Sequence, residues 1–224
     1  MKKNILIWTV LSQLIAFSSF SKTLVITDSH GEGAFGMELA MGLENNGQAV
    51  SVYAVGGSTA ADWNHGLQQV WGYWEYHSGH PEVRSTKPIT PVVSRLLETE
   101  TPDSIIIELG TNLIWKPISE QDREEIRLLL STIKKTQINC IWVGPPALRP
   151  KPMDRVQREL EIRELLYSIV PSFNCELVLS WAFTQYPALG GDGIHYDGIP
   201  GIGPDLARQW ARGVIDHLTK WRAR

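Results

Sequence analysis

Short apolar runs and longer amphipathic stretches alternate along this chain. Thr23 to Thr27, Ala49 to Val55, Ser104 to Leu109, Ile138 to Val143 and Glu176 to Leu179 have the length and the Val/Ile/Leu content of buried strands. Between them apolar residues recur at helical spacing. Ala34 to Asn45 ends in Asn-Asn-Gly, and Ser119 to Lys135 opens on Ser-x-x-Asp, a capping box with Asp in place of Glu, and closes on lysines. Asp154 to Val170 stops at Pro171, and Pro204 to Trp221 completes the alternation. Strands separated by helices are βαβ units, so the pattern predicts an α/β fold: a parallel five-stranded sheet with helices on both faces. In such sheets ligands bind at the carboxyl ends of the strands.

Four polar stretches follow from that rule. Asp28-Ser29 ends the first strand, Gly56-Gly57-Ser58-Thr59 the second and Gly110-Thr111-Asn112 the third, while Asp192-Gly193-Ile194-His195 precedes the last helix. Each alone is ordinary loop sequence. Together they supply what hydrolysis of an ester requires: a hydroxyl nucleophile, a base, a group that orients the base, and donors for the oxyanion. Ser29 is the candidate nucleophile, His195 the general base and Asp192 its orienting acid. The backbone N–H groups of Ser29 and Gly57 and the side-chain amide of Asn112 are candidates for the oxyanion hole. Glycine at position 57 would let substrate approach that N–H.

Composition narrows the setting. With 224 residues, 43% hydrophobic and 20% charged, the chain suits one α/β domain, taken as residues 22–224. Lys+Arg 21 against Asp+Glu 24 is too balanced for a nucleic-acid-binding face. Residues 1–21 read as a signal peptide. Lys2 and Lys3 form its basic end, Ile5 to Phe17 its apolar stretch and Ser19-Phe20-Ser21 its cleavage site. The apolar stretch is shorter than the roughly 20 residues of a membrane span. The mature protein would be periplasmic or secreted, with no stable membrane span. Cys140 and Cys175 open successive strands and read as two buried free thiols, with a disulfide as the alternative in an oxidising compartment.

In the order and identity of the four blocks the chain resembles the SGNH hydrolases, also called the GDSL esterase/lipase family. The blocks span nearly all of the mature chain. The resemblance implies a three-layer, flavodoxin-like fold and acyl-ester hydrolysis through an acyl-serine, without metal or cofactor, with the roles given above. Two departures stand out. The Gly-Asp-Ser-Leu of the first block is Thr27-Asp28-Ser29-His30, and the Asn that often precedes the second-block glycine is absent from Ala54-Val55-Gly56. Both bear on substrate preference more than on the reaction.

Other features compete for attention. Gly31-Glu32-Gly33-Ala34-Phe35-Gly36 matches the dinucleotide fingerprint, but the second strand ends in Val55-Gly56-Gly57 where a ribose-binding acid belongs. His30 reads as a loop or substrate contact, and His65, His77 and His80 as a solvated loop rather than a zinc site. The segment from Asp62 to Pro91 is rich in aromatics. Trp63, Trp71 and Trp74, with Trp115, are candidates for a sugar-stacking wall; the alternative is that they pack an insertion onto the body. The sequence therefore reads as an exported serine esterase removing acetyl or another short acyl group from a glycan. Alternatives are a lipase, lysophospholipase, thioesterase or acyltransferase, or a glycan-binding protein that no longer turns over.

Overall fold

The computed structural model describes residues 21–69, 71–86, 88–149 and 153–222. The leader expected over residues 1–21 lies outside the described residues, save Ser21. In chain order the elements are β1 (Lys22–Thr27), α1 (Ala34–Asn45), β2 (Ala49–Val55), α2 (Ala60–His65), β3 (Gly72–His77), β4 (Val83–Thr86) and α3 (Val93–Glu100). There follow β5 (Ser104–Glu108), α4 (Glu120–Lys134), β6 (Asn139–Val143), α5 (Met153–Ile169), β7 (Cys175–Val178) and α6 (Gly203–Arg222), with short 3-10 turns between some of them.

The sheet has the order β4-β3-β2-β1-β5-β6-β7. The five strands anticipated from the sequence pair in parallel, each boundary within one residue of its expected place. The sheet nevertheless has seven strands rather than five. β3 and β4 extend the β2 edge antiparallel, in the aromatic segment that had no strand assigned. Their signal is weak because Glu75 and His77 interrupt the apolar pattern, although Trp74 and Tyr76 keep the two-residue period of a strand and both face α1.

Alternation along β1 divides the core. Leu24 and Ile26 point to the side covered by α2, α3, α4 and α5, and Val25 to the side covered by α1 and α6. The same split recurs on β5, with Ile105 and Ile107 opposite Ile106. Ser119 caps α4 as the sequence suggests: its hydroxyl accepts the Asp122 N–H while the Asp122 carboxylate accepts the Ser119 N–H at 2.9 Å.

The cysteines overturn the expectation of free thiols. Cys140 and Cys175 are register partners on β6 and β7, with Cα atoms 4.6 Å apart, and form a disulfide. Parallel pairing sets the two side chains on the same face at one level, the arrangement that successive parallel strands allow. No described helix is long and apolar enough to cross a membrane.

Candidate active site

β1 lies in the middle of the sheet with β2 on one side and β5 on the other, so its carboxyl end opens the crevice where the strand order reverses. The chain leaves β1 through Asp28 into a 3-10 turn, Ser29–Glu32. Asp28 caps that turn, its carboxylate accepting the His30 N–H at 3.0 Å, and its own N–H donates to the Glu108 carbonyl at the end of β5. Ser29 is thereby fixed at the strand end.

Its hydroxyl lies 2.9 Å from Nε2 of His195, across 166 residues of chain. Nδ1 of the same ring lies 2.6 Å from Oδ2 of Asp192. The other Asp192 oxygen accepts the N–H groups of Ile194 and His195, each at 2.8 Å, so one carboxylate shapes the loop and orients the ring. Partial burial pushes the Asp192 carboxyl up, but its hydrogen bonds from His195 and Ile194 hold it below the usual carboxylate range. Asp197, further along the loop, accepts the Ala34 N–H at the start of α1 and so ties the histidine's segment to the helix that follows the serine turn.

Asn112 lies in a 3-10 turn after β5. Its Nδ2 donates to the Ser58 carbonyl at 3.0 Å and, at 3.3 Å, to the Asp28 carboxylate. Both amide hydrogens are engaged in the resting protein. The amide can meet an oxyanion by releasing the longer of these bonds. Gly57 adopts φ +79, and a Cβ there would stand 2.5 Å from the Trp71 ring. Left-handed backbone and the Trp71 ring thus give two structural reasons for glycine here, beside the substrate clearance expected of it. A small cavity of about 20 Å³ adjoins Asn112, lined by Thr59, Ala60, Leu109, Leu113, Ile126 and Trp142.

The four tryptophans separate into two pairs. Trp71 and Trp115 are 65% and 64% exposed and flank the second and third blocks. Trp63 and Trp74 have only 0% and 1% of their surface exposed and offer no face to a ligand, so their place in a stacking wall is withdrawn. Trp63 is fixed in the core with its Nε1 donating to Ser58 Oγ, and Trp74 packs between β3 and α1 with its Nε1 on Glu82. His30 also departs from the reading of it as a loop or substrate contact. It is buried edge-on against Trp210, with its ring centroid 5.3 Å from that of His195, and its Nε2 has no hydrogen-bond partner. Burial drives its pKa down to about 3, so the ring is neutral.

The dinucleotide-like glycines serve packing. A side chain on Gly31 would collide with Thr27, and one on Gly36 with the Gly31 backbone, where the turn after β1 meets α1. Of the histidines weighed for zinc, His65 pairs with Glu125 at 3.0 Å, and His77, which closes β3 rather than sitting in a loop, pairs with Glu75 at 2.8 Å.

Three features beside the site escaped the sequence reading. Glu108 is wholly buried at the end of β5, where burial and the neighbouring Asp28 charge push its carboxyl well above the usual range; Asp28 itself is raised to about 7, chiefly by burial. A lone acid within Ser-Ile-Ile-Ile-Glu-Leu was the available signal. The Tyr186 hydroxyl accepts the Gly193 N–H at 3.0 Å and lies 3.3 Å from the His195 carbonyl. Arg149 and Arg155 reach the same loop from outside the four blocks, and nothing local in the sequence marks them.

No protein-family model and no curated protein sequence matches the chain. Solved structures do. The family 3 carbohydrate esterase of Clostridium thermocellum shares 16% identity at a TM-score of 0.55, over 90% of this chain and 98% of that one. A lipase/acylhydrolase from Enterococcus faecalis shares 17% at 0.54 over 88% and 97%, and the acetyl xylan esterase AlAXEase 15% at 0.53 over 88% and 99%. At such identities the likeness speaks for the fold. The chain has the three-layer α/β fold of the SGNH, or GDSL, hydrolases.

Proposed function

We propose that the protein is an exported serine esterase that hydrolyses short acyl esters, acetyl above all, on a glycan. The observation that carries this reading is the hydrogen-bonded chain from Ser29 through His195 to Asp192. In the reaction His195 Nε2 takes the Ser29 hydroxyl proton as the oxygen attacks the ester carbonyl, and Asp192 stabilises the imidazolium that forms. The oxyanion is met by the Ser29 and Gly57 N–H groups and the Asn112 amide. Collapse of the adduct releases the alcohol, which takes the proton from His195 and leaves an acyl-serine. Water activated by the same base then frees the acid.

Several observations favour a short acyl group on a sugar. Trp71 and Trp115 present exposed rings on which a sugar face can stack. Two structural neighbours are esterases of carbohydrate or acetyl xylan. The disulfide between Cys140 and Cys175 suits an oxidising compartment and, with the leader expected over residues 1–21, supports a periplasmic or secreted protein. The neighbour described as a lipase/acylhydrolase favours a second reading, a lipid or thioester substrate.

A series of 4-nitrophenyl esters from acetate to decanoate separates these. Acetate cleaved fastest, with acetylated saccharides competing, supports the first reading. A preference for long chains replaces it with the second, and saccharide binding without turnover would mean an inactive scaffold.

A further inference from the structure

The loop that carries Asp192 and His195 has little to hold it in shape by itself. Gly190, Gly191 and Gly193 all adopt positive φ, at 84, 62 and 91, around an Asp192 whose side chain is half-exposed. Such a glycine-rich segment has more backbone freedom to lose on ordering than an ordinary loop of its length. Yet the Asp192 carboxylate must keep its place against the Ile194 and His195 N–H groups and Nδ1 of His195, all within 2.8 Å. The restraint comes from the opposite side of the backbone. Four consecutive carbonyls, Gly190 to Gly193, are taken up by two arginines. The Arg149 guanidinium donates through Nη2 to the carbonyls of Gly190 and Gly191, the latter at 3.0 Å, and the Arg149 backbone N–H donates to Gly193 at 3.0 Å. Arg155 Nη1, from the first turns of α5, donates to the Asp192 carbonyl at 3.2 Å.

The arginines are themselves backed by aromatic rings. The Arg149 guanidinium lies 5.4 Å from the Tyr186 ring centroid, and Tyr186 accepts the Gly193 N–H with its hydroxyl. Arg155 lies 5.7 Å over Trp115, three residues beyond Asn112. A side chain at Gly193 would meet both arginines, which gives that glycine a second reason beside its φ.

We propose that Arg149 and Arg155 are positioning residues for the esterase reaction, clamping the carbonyl side of the Gly190–Gly193 loop so that Asp192 and His195 are presented to Ser29 in register. This rests on the hydrolase reading above. Neither arginine touches the reacting atoms; each acts through the loop, and Arg155 through the peptide of Asp192 itself. At Arg149 a guanidinium is required because its planar donors span adjacent carbonyls, whereas a lysine reaches one; Arg155 engages the single carbonyl of Asp192.

The test is a set of variants assayed on 4-nitrophenyl acetate, a substrate too small to need the arginines for binding. Arg155→Ala is expected to lower kcat on the order of 10-fold, the loss of about one charge-assisted hydrogen bond, with KM within about twofold. Arg155→Lys should recover part of it. In a cycle with Asp192→Asn, the arginine substitution should cost little once the acid is gone, because both act through one loop. Arg149→Lys should behave in the same direction with the melting temperature close to that of the wild type. An effect confined to KM would make Arg155 a substrate contact and overturn the proposal. Full additivity with Asp192→Asn, or a kcat unchanged in every arginine variant of an active enzyme, would also overturn it while leaving the hydrolase reading intact. A wild type without esterase activity would remove both.

Discussion

Replacing His30 by leucine tests the electrostatics beneath the nucleophile. Folding carries this imidazole from water to a site between Trp210 and His195 where Nε2 finds no partner, and its pKa falls from 6.5 to about 3. Between those values the unfolded chain binds a proton that the folded protein refuses, so stability rises with pH through this window and the contribution is complete above 6.5. The slope from one such group is about 1.4 kcal/mol per pH unit. His30→Leu removes the titration and keeps an apolar group against Trp210. The variant should therefore gain most over the wild type at low pH, and its advantage should shrink by roughly 2.5 kcal/mol between pH 4 and pH 6 and level off above pH 7. Asp28 acts with opposite sign: raised to about 7 by burial, it loses stability as pH climbs from its ordinary value of 3.8. For that reason the difference between the two proteins, and not the wild-type curve, isolates the imidazole. Urea denaturation at fixed pH values from 4 to 8 gives both curves. Parallel curves would show that His30 is protonated in the folded protein as readily as in the unfolded chain, and would refute the argument.

His195→Ala should reduce kcat/KM for 4-nitrophenyl acetate to near background, whereas Asp192→Asn should leave more activity because the base remains; harmless loss of His195 with crippling loss of His30 would reverse the assignment. Asn112→Ala should raise the barrier by about 2.7–4 kcal/mol, read as a fall in kcat, whereas a change in KM alone would make Asn112 a ground-state contact. Trp63→Ala should cost about 3–5 kcal/mol of stability in denaturation experiments. Trp71→Ala should leave the melting temperature in place and impair acetylated saccharides more than the aryl ester, whereas Trp115→Ala, which also removes the ring beneath Arg155, should lower kcat on both.

The legible part of this fold was the part written in apolar period. Runs such as Val52 to Val55 and Ile105 to Ile107 are buried from both faces, and that condition leaves an unbroken apolar signature. Asp28-Ser29, Gly57, Asn112 and Asp192 to His195 could be found because each is a polar interruption at the end of such a run or on the loop before the last helix. What lay hidden depends on lateral neighbours. β3 and β4 form an edge whose pattern is broken by charge, and Cys140 meets Cys175 only because parallel pairing puts them in register. Trp63 and Trp71 are eight positions apart in one aromatic segment, yet one fills the core from α2 and the other stands exposed beside Gly57. Composition cannot distinguish them. Arg149 and Arg155 are equally silent, since what they bind is backbone carbonyl, which every residue carries.

The central claim is that Ser29 carries the acyl group, and covalent trapping tests it most directly. The wild type and Ser29→Ala are each treated with a serine-directed organophosphate and assayed for hydrolysis of 4-nitrophenyl acetate, and the adduct is located by peptide mass spectrometry. The account predicts a single adduct on Ser29, formed as activity is lost, and neither labelling nor turnover in a folded Ser29→Ala protein. An adduct on another residue, or substantial turnover by the alanine variant, would contradict it.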